Sequence, residues 1–275
     1  MTMENKRSKN EKFLHCNFFP KNSRGQLTIF IIFLLVLVFA AVIYFFIGSG
    51  VQTKIAPQKT NDPIFVYVRE CVNSALFDSA KLFGLQQGYY IVPKSSLETS
   101  FYRVAYYYLR GESLIPENAF FEEEFSKIAN YKISEECADF SVFKEQGYDI
   151  KSSSPVVKTK ISEKDLAVSV SYPLSISTNE SSYQVSAFDY HLPIRIGHIL
   201  DVSRDIVDEI KKEPYSLDLT FLLNQDVDVS MQKYDRCNQI YLILDDQSKT
   251  NDEESYFYSF AVGFSEEYCT NEESV

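Results

Sequence analysis

Tryptophan is absent from this chain, and histidine nearly so: His15, His191 and His198 are the only three in 275 residues. Metal centres and proton relays built on several imidazoles have almost no material here. No GxSxG, HExxH, phosphate-binding loop or GxGxxG occurs, so the common signatures of acyl transfer, zinc proteolysis and nucleotide binding are missing. Neither a CxxC pair nor a Cys/His cluster is present to hold zinc. Internal repeats are lacking too. No cofactor, no metal and no catalytic residue are expected from the sequence.

Basic charge is also short. Lys and Arg number 27 against 38 Asp and Glu, a net of −11. The deficit is uneven. Residues 1–27 hold six basic side chains (Lys6, Arg7, Lys9, Lys12, Lys21, Arg24) and two acidic ones (Glu4, Glu11), so the remainder carries −15 (−11 less +4). A surface that acidic repels phosphate backbones and anionic headgroups, and no nucleic-acid partner is expected.

What the chain does have is a long apolar run. Leu27 to Ile47 is 21 residues interrupted only by Thr28 and Tyr44. At 1.5 Å per residue a helix of that length covers about 30 Å, the thickness of a bilayer core. A transmembrane helix is therefore expected over residues 28–47. The basic segment before it, residues 1–27, stays cytoplasmic, and the C-terminal part lies outside. Residues 48–61 form a spacer opening on Gly48-Ser49-Gly50, small residues that also leave secretory cleavage open. The cysteines agree with this topology. Cys16 is alone on the cytoplasmic side, and Cys71, Cys137, Cys237 and Cys269 lie outside, where disulfides persist. Two strands, Asn238–Asp245 and Tyr256–Phe264, would pair antiparallel and bring Cys237 near Cys269, which favours Cys237–Cys269 and Cys71–Cys137 among three pairings. Four buried free thiols are the alternative.

The junction Arg24-Gly25-Gln26-Leu27-Thr28 resembles the class III signal of archaeal type IV pilin-like proteins. That resemblance implies a prepilin-type peptidase as a partner, cleavage between Gly25 and Gln26, and retention of the apolar run. The pattern departs from pilins at the fifth mature position, where Phe30 replaces the usual Glu. An unpaired amine in an apolar filament core would be costly, so this departure argues against a filament subunit. Glu70-Cys71-Val72, residues 82–89 (LFGLQQGY), Gln146-Gly147-Tyr148, Tyr172-Pro173-Leu174 and residues 192–197 (LPIRIG) are similar to stretches of uncharacterised membrane-anchored proteins of small-genome archaea. Those imply an architecture and no activity.

Periodicity sets out the rest. Asp62-Pro63 starts a helix with Phe65, Val68, Val72, Ala75 and Leu76 on one face. A second helix runs from Pro116 to about Cys137, and a third from Gly197 to Lys212 with Ile199, Val202, Ile206 and Ile210 inward and Arg204 outward. Tyr89–Val92, Phe101–Leu109, Pro155–Ser162, Leu166–Ser177, Tyr183–Ile196, Asp226–Gln232 and the terminal pair read as strands. The fold class expected is α+β: one N-terminal transmembrane helix followed by a mainly antiparallel-sheet ectodomain with about three helices. Residues 62–150 read as a helix-rich first module and 151–275 as a strand-rich second, with one continuous domain open as well.

Candidate sites are few. Asp189 and His191 share a strand face but lack a nucleophile. Asp226 with Asp228, Asp245-Asp246 and Asp252-Glu253-Glu254 cluster carboxylates without a calcium-loop spacing. Tyr102, Tyr106 and Tyr108 form a stripe that reads as a half-buried sheet face. Asn179-Glu180-Ser181 is a glycosylation sequon at a hairpin tip. The function expected is a single-pass, membrane-anchored extracytoplasmic protein of structural or interaction type, processed as a pilin-like precursor and contacting other surface proteins. An exported enzyme or an extracytoplasmic ligand-binding protein is the alternative.

Overall fold

A computed structural model describes residues 31–39, 62–179, 181–213 and 219–270. The chain divides into two compact units, residues 1–55 and 56–275. In the first, residues 31–39 form a helix, α1, whose side chains from Ile31 to Phe39 are all at least half exposed. Here the expected fold class needs correction. Among the described residues no helix is long and apolar enough to cross a membrane. The reason is length: nine residues of helix reach about 14 Å, under half a bilayer core. The basic segment 1–27 and the spacer 48–61 lie outside the described residues.

The second unit is α+β with mostly antiparallel sheets. Helix α2 (Pro63–Leu85) starts where sequence chemistry starts it: the Asp62 carboxylate accepts from the N–H groups of Ile64 (2.9 Å) and Phe65 (3.3 Å), and Pro63 fills the first helical position. Its stripe from Phe65 through Phe83 is buried. Then come β1 (Ser96–Glu98), β2 (Arg103–Leu109), β3 (Glu112–Ser113), α3 (Asn118–Glu136), α4 (Ser141–Glu145), β4 (Asp149–Ser152), β5 (Val156–Ile161), β6 (Leu166–Ser177), β7 (Ser182–Leu192), α5 (Ile196–Lys212), α6 (Leu219–Leu223), β8 (Asp228–Lys233), β9 (Asn238–Lys249), β10 (Ser255–Gly263) and α7 (Glu266–Thr270). The helix total also differs from expectation, because three five-residue helices, α4, α6 and α7, accompany the three long ones. They are too short for hydrophobic periodicity to reveal.

Two sheets result. One runs β1-β2-β10-β9-β8, with β3 also on β2. Its β2–β10 pairing is parallel, whereas all other described pairings are antiparallel. The other is centred on β6, which pairs with β4, β5 and β7. Helix α2 packs on α3, β10 and β7, and α3 packs on β5. One core cluster accordingly joins Leu76, Phe125, Val170, Ile206 and Phe260. Tyr89–Val92, expected as a strand, is instead the connection from α2, and pairing begins only at β1. The edge of β5 is closed by a side chain: Glu122 of α3 accepts from the Ile161 N–H (3.1 Å) and pairs with Lys160 (3.0 Å). Arg204, expected to face outward, instead donates to Asn118 (2.5 Å) and the Pro116 carbonyl (3.3 Å), fastening α5 to the start of α3.

The C-terminal end of α2 is the tightest point. Gln87 is fully buried and left-handed (φ 54°), followed by Gly88 at φ 83°. The Gln87 side-chain oxygen accepts from the Ala105 N–H (3.1 Å), its amide donates to the Leu85 carbonyl, and its own carbonyl accepts from the Tyr107 hydroxyl (2.9 Å). Tyr107 and Tyr258 then share a hydroxyl–hydroxyl hydrogen bond, and Tyr256 donates to the Ala80 carbonyl (2.9 Å). A Cβ on Gly84 would lie 2.2 Å from the Phe257 carbonyl oxygen, and one on Gly88 would lie 2.4 Å from the Phe121 ring.

Burial pushes the phenols of Tyr107, Tyr256 and Tyr258 well above their ordinary value, and burial with the nearby Glu124 charge raises Tyr89 to about 12. Below about pH 10 folded and unfolded chains both keep these protons, so this group of phenols leaves stability flat there. Above it only the unfolded chain releases them. Urea titrations at successive pH values, with phenolate absorbance recorded, should show stability falling from about pH 10 upward, by up to about 1.4 kcal/mol per pH unit per phenol. Phenolate appearing fully near pH 10 in the folded protein would contradict this burial.

Candidate functional site

All four cysteines of the second unit are bonded. Cys71 of α2 joins Cys137 at the end of α3 (Cα–Cα 5.8 Å), and Cys237, before β9, joins Cys269 of α7 (5.2 Å). The Cys137 carbonyl also accepts from the Tyr172 hydroxyl (3.1 Å), tying this staple to β6. Gly25 and Gln26 lie outside the described residues. Asn179 is exposed in the β6–β7 turn, where the Thr178 N–H donates to the Ser181 carbonyl (2.8 Å).

The acidic candidates do not converge. Asp189 accepts from Ser169 across the β6–β7 ladder (2.6 Å), while His191 Nδ1 meets Asp165 instead (3.0 Å). Asp252 pairs with Lys81, and Asp246 accepts from Ser255. Asp228 is exposed on β8, apart from the pairing that engages Asp226. Among the described residues no group of three or more His, Cys, Asp or Glu could hold a metal ion. The tyrosine stripe divides likewise: Tyr108 is buried, Tyr106 is half-buried with its hydroxyl on Asn238 (2.9 Å), and Tyr102 is exposed.

What does converge is a clasp around Arg195, just before α5. Its guanidinium donates to both Asp245 carboxylate oxygens (3.0 and 2.6 Å), to the Asp226 carboxylate (2.7 Å) and to the Asp226 carbonyl (3.0 Å). The Ser248 hydroxyl accepts from the Arg195 N–H (2.8 Å) and donates to Asp245 (2.5 Å). Gln247 adds its N–H to Asp245 (3.1 Å) and its side-chain amide to Asp226 (2.9 Å). Asp245 is buried, and desolvation alone would raise its pKa. The bonds from Arg195, Ser248 and the Gln247 N–H outweigh that and hold it below the ordinary carboxylate value. Asp226 is lowered first by Arg195 and then by Gln247. Four guanidinium bonds to carboxylates and one carbonyl leave this group a structural fastener rather than a reactive one.

The clasp fixes the chain on both sides of an apolar cleft. A cavity of about 380 Å³ opens between α6 and the β8–β9–β10 end of the mixed sheet, with Leu222, Leu223, Val227, Leu242, Leu244 and Phe257 in its walls. Leu223 is 85% exposed, and Leu244 and Phe257 are more than a third exposed. Asp226 lies between the lining residues Gln225 and Val227, and Asp245 immediately follows Leu244, so the Arg195 bonds tie the segment entering β8 to β9 beside the cleft. Sequence reasoning missed both features. The available signal was Arg195 itself, a lone charge between Ile194 and Ile196, two residues that are fully buried. Comparison with known proteins finds no family model, no curated protein and no solved structure that matches this chain.

Removing Arg195 would strand a buried carboxylate. Arg195→Ala should cost about 3–5 kcal/mol in chemical denaturation, and a combined Arg195→Met, Asp245→Leu replacement should recover most of it. A loss below about 1 kcal/mol for the single variant would show that the pair contributes little. Acid should act in the same direction. With Asp245 held low, its contribution is complete above the unfolded value of about 3.9 and disappears as pH falls through the folded one.

Proposed function

We propose that this chain is a membrane-tethered extracytoplasmic protein of structural or interaction type. Residues 28–47 would contact lipid, the basic N-terminal segment would lie at the cytoplasmic face, and the folded unit would lie on the other side. The observation that carries the reading is the pair of disulfides in an acidic unit that follows an apolar segment: persistent cystine belongs to oxidising compartments. Consecutive large apolar side chains from Ile31 to Phe39, each at least half exposed, supply a lipid-compatible surface in support. The folded unit offers apolar relief, while Asp189, His191, Asp226, Asp245, Asp246 and Asp252 each engage a different set of neighbours or the Arg195 clasp. A role in presenting a surface therefore fits better than catalysis. A second reading, an extracytoplasmic ligand-binding protein, is favoured by the cleft, whose volume suits a small apolar molecule.

Processing by a prepilin-type peptidase between Gly25 and Gln26 belongs to the same proposal. Intact-mass and N-terminal measurements on protein extracted from membranes should give a chain beginning at Gln26. A chain beginning at Met1 would reject processing. In the same preparation, alkylation before and after reduction should block no second-unit cysteine in the first step and all four in the second. Complete alkylation without reductant, or recovery of the chain in the alkaline-wash supernatant, would reject the extracytoplasmic tethered reading. Opening Cys71–Cys137 by paired Ser replacement should lower stability by about 4 kcal/mol, since the bridge closes a 66-residue separation.

A further inference from the structure

Of the thirteen asparagines in the chain, Asn179 alone is followed two residues later by Ser or Thr. The fold sets it at the end of the sheet centred on β6. The last row of that sheet is Asp149, Ser177 and Ser182, side by side on β4, β6 and β7. The chain leaves the row at Ser177 and returns at Ser182. Thr178 and Ser181 close the turn between them. The Thr178 N–H donates to the Ser181 carbonyl (2.8 Å), and Thr178 Oγ1 accepts from the Ser181 N–H (3.2 Å) and meets the Ser181 hydroxyl (3.3 Å). Asn179 and Ser181 are both exposed.

The Asn179 carboxamide is also unengaged. Asn118 accepts from Arg204, and Asn238 is held between Asp235 and Tyr106, whereas Asn179 makes no side-chain hydrogen bond among the described residues. A transferase can therefore take up this amide without breaking a contact that the fold needs. The flanking side chains of the last row, Ser177 and Ser182, are short and leave room for a bulky group. We propose that Asn179 is N-glycosylated. The donor is an oligosaccharide carried on a lipid phosphate. A bond forms from Asn179 Nδ2 to the anomeric carbon, and the bond from that carbon to the phosphate oxygen breaks. The lipid phosphate leaves with the electron pair, and one amide proton passes to a base of the transferase. Ser181 supplies the hydroxyl that completes the acceptor pattern. The inference rests on the tethered reading above, because acceptors of this kind are modified on the extracytoplasmic side. It adds a bulky hydrophilic group that covers the exposed end of the β6–β7 hairpin.

The test is mass spectrometry of the full chain extracted from its native membrane. Trypsin releases residues 165–195 as one peptide, because no Lys or Arg lies between Lys164 and Arg195. That peptide should carry an added mass that fragments as a saccharide series and maps to Asn179. Asn179→Gln and Ser181→Ala should each abolish the added mass, and Ser181→Thr should keep it. Both positions are exposed, so the three variants should keep the thermal midpoint of the unglycosylated wild-type chain. Sugar mapped to a serine of the same peptide, or an added mass that survives Asn179→Gln, would overturn the inference, as would an unmodified Asn179. The state of the cysteines separates the two failures. An unmodified Asn179 in a chain whose four second-unit cysteines are bridged removes only the modification. An unmodified Asn179 with those four thiols free removes the extracytoplasmic reading as well.

Discussion

A helix that ends inside a protein core leaves its last carbonyl groups without partners and out of reach of water. At the end of α2 the Leu82, Phe83 and Gly84 carbonyls accept from the N–H groups of Gln86, Gly88 and Gln87. The Leu85 carbonyl accepts from the Gln87 side-chain amide, and Gln87 then links the helix end to the sheet. Gln87, buried and left-handed, turns the chain and offers its side chain to the Ala105 backbone and its carbonyl to the Tyr107 hydroxyl. Tyr107 hands the network on to Tyr258. Helix α2, β2 and β10 are fixed to one another through these few groups, and the parallel β2–β10 pairing is made beside them. Gly84 and Gly88 are glycines because Phe257 and Phe121 occupy the space a Cβ would need. An unpaired group in such a network would cost more than a typical hydrogen bond contributes, so the network must form as a whole.

Much of the second unit was legible beforehand because its long elements bury one face each. The stripe Phe65, Val68, Val72 on α2 and the alternation Leu166, Val168, Val170 on β6 state their periods openly, and β6 has the bounds expected of it. Gln87 was not legible, since a polar side chain in a loop carries no mark of burial. Phe101 was read as the start of a strand. Its exposure depends on Thr99 closing a turn, a local polar effect that competes with the apolar pattern. The carboxylate candidates failed for a related reason. Adjacency in sequence says nothing about which cation will arrive, and Arg195 reaches Asp226 and Asp245 from 31 and 50 residues away. At the N-terminal run, length and apolarity predicted a continuous membrane-crossing helix, whereas the described helix there covers residues 31–39.

The two sheets meet their edges differently, and the difference organises the surface. Beside β5, Glu122 occupies the Ile161 N–H and Lys160 pairs with it, so that edge is closed from within. Strand β8 is bordered by α6, a single short helix that leaves a cleft along it. Closure and opening both follow from what lies next to the edge: a long helix packed over its length in one case, five residues in the other.

The position of Cys71–Cys137 has a mechanical consequence. A pull on the chain from its N-terminal side loads α2 at Asp62 and peels the helix one turn at a time. Nine residues later it meets a covalent bond. From there tension passes through the cystine into the end of α3, and the Tyr172 bond to the Cys137 carbonyl shares part of it with the central strand β6. The remaining turns of α2, Gln87 and the tyrosines around it are bypassed. The staple thus sets the extent of stretching: the first two turns can give way while the sheet that carries the cleft keeps its shape.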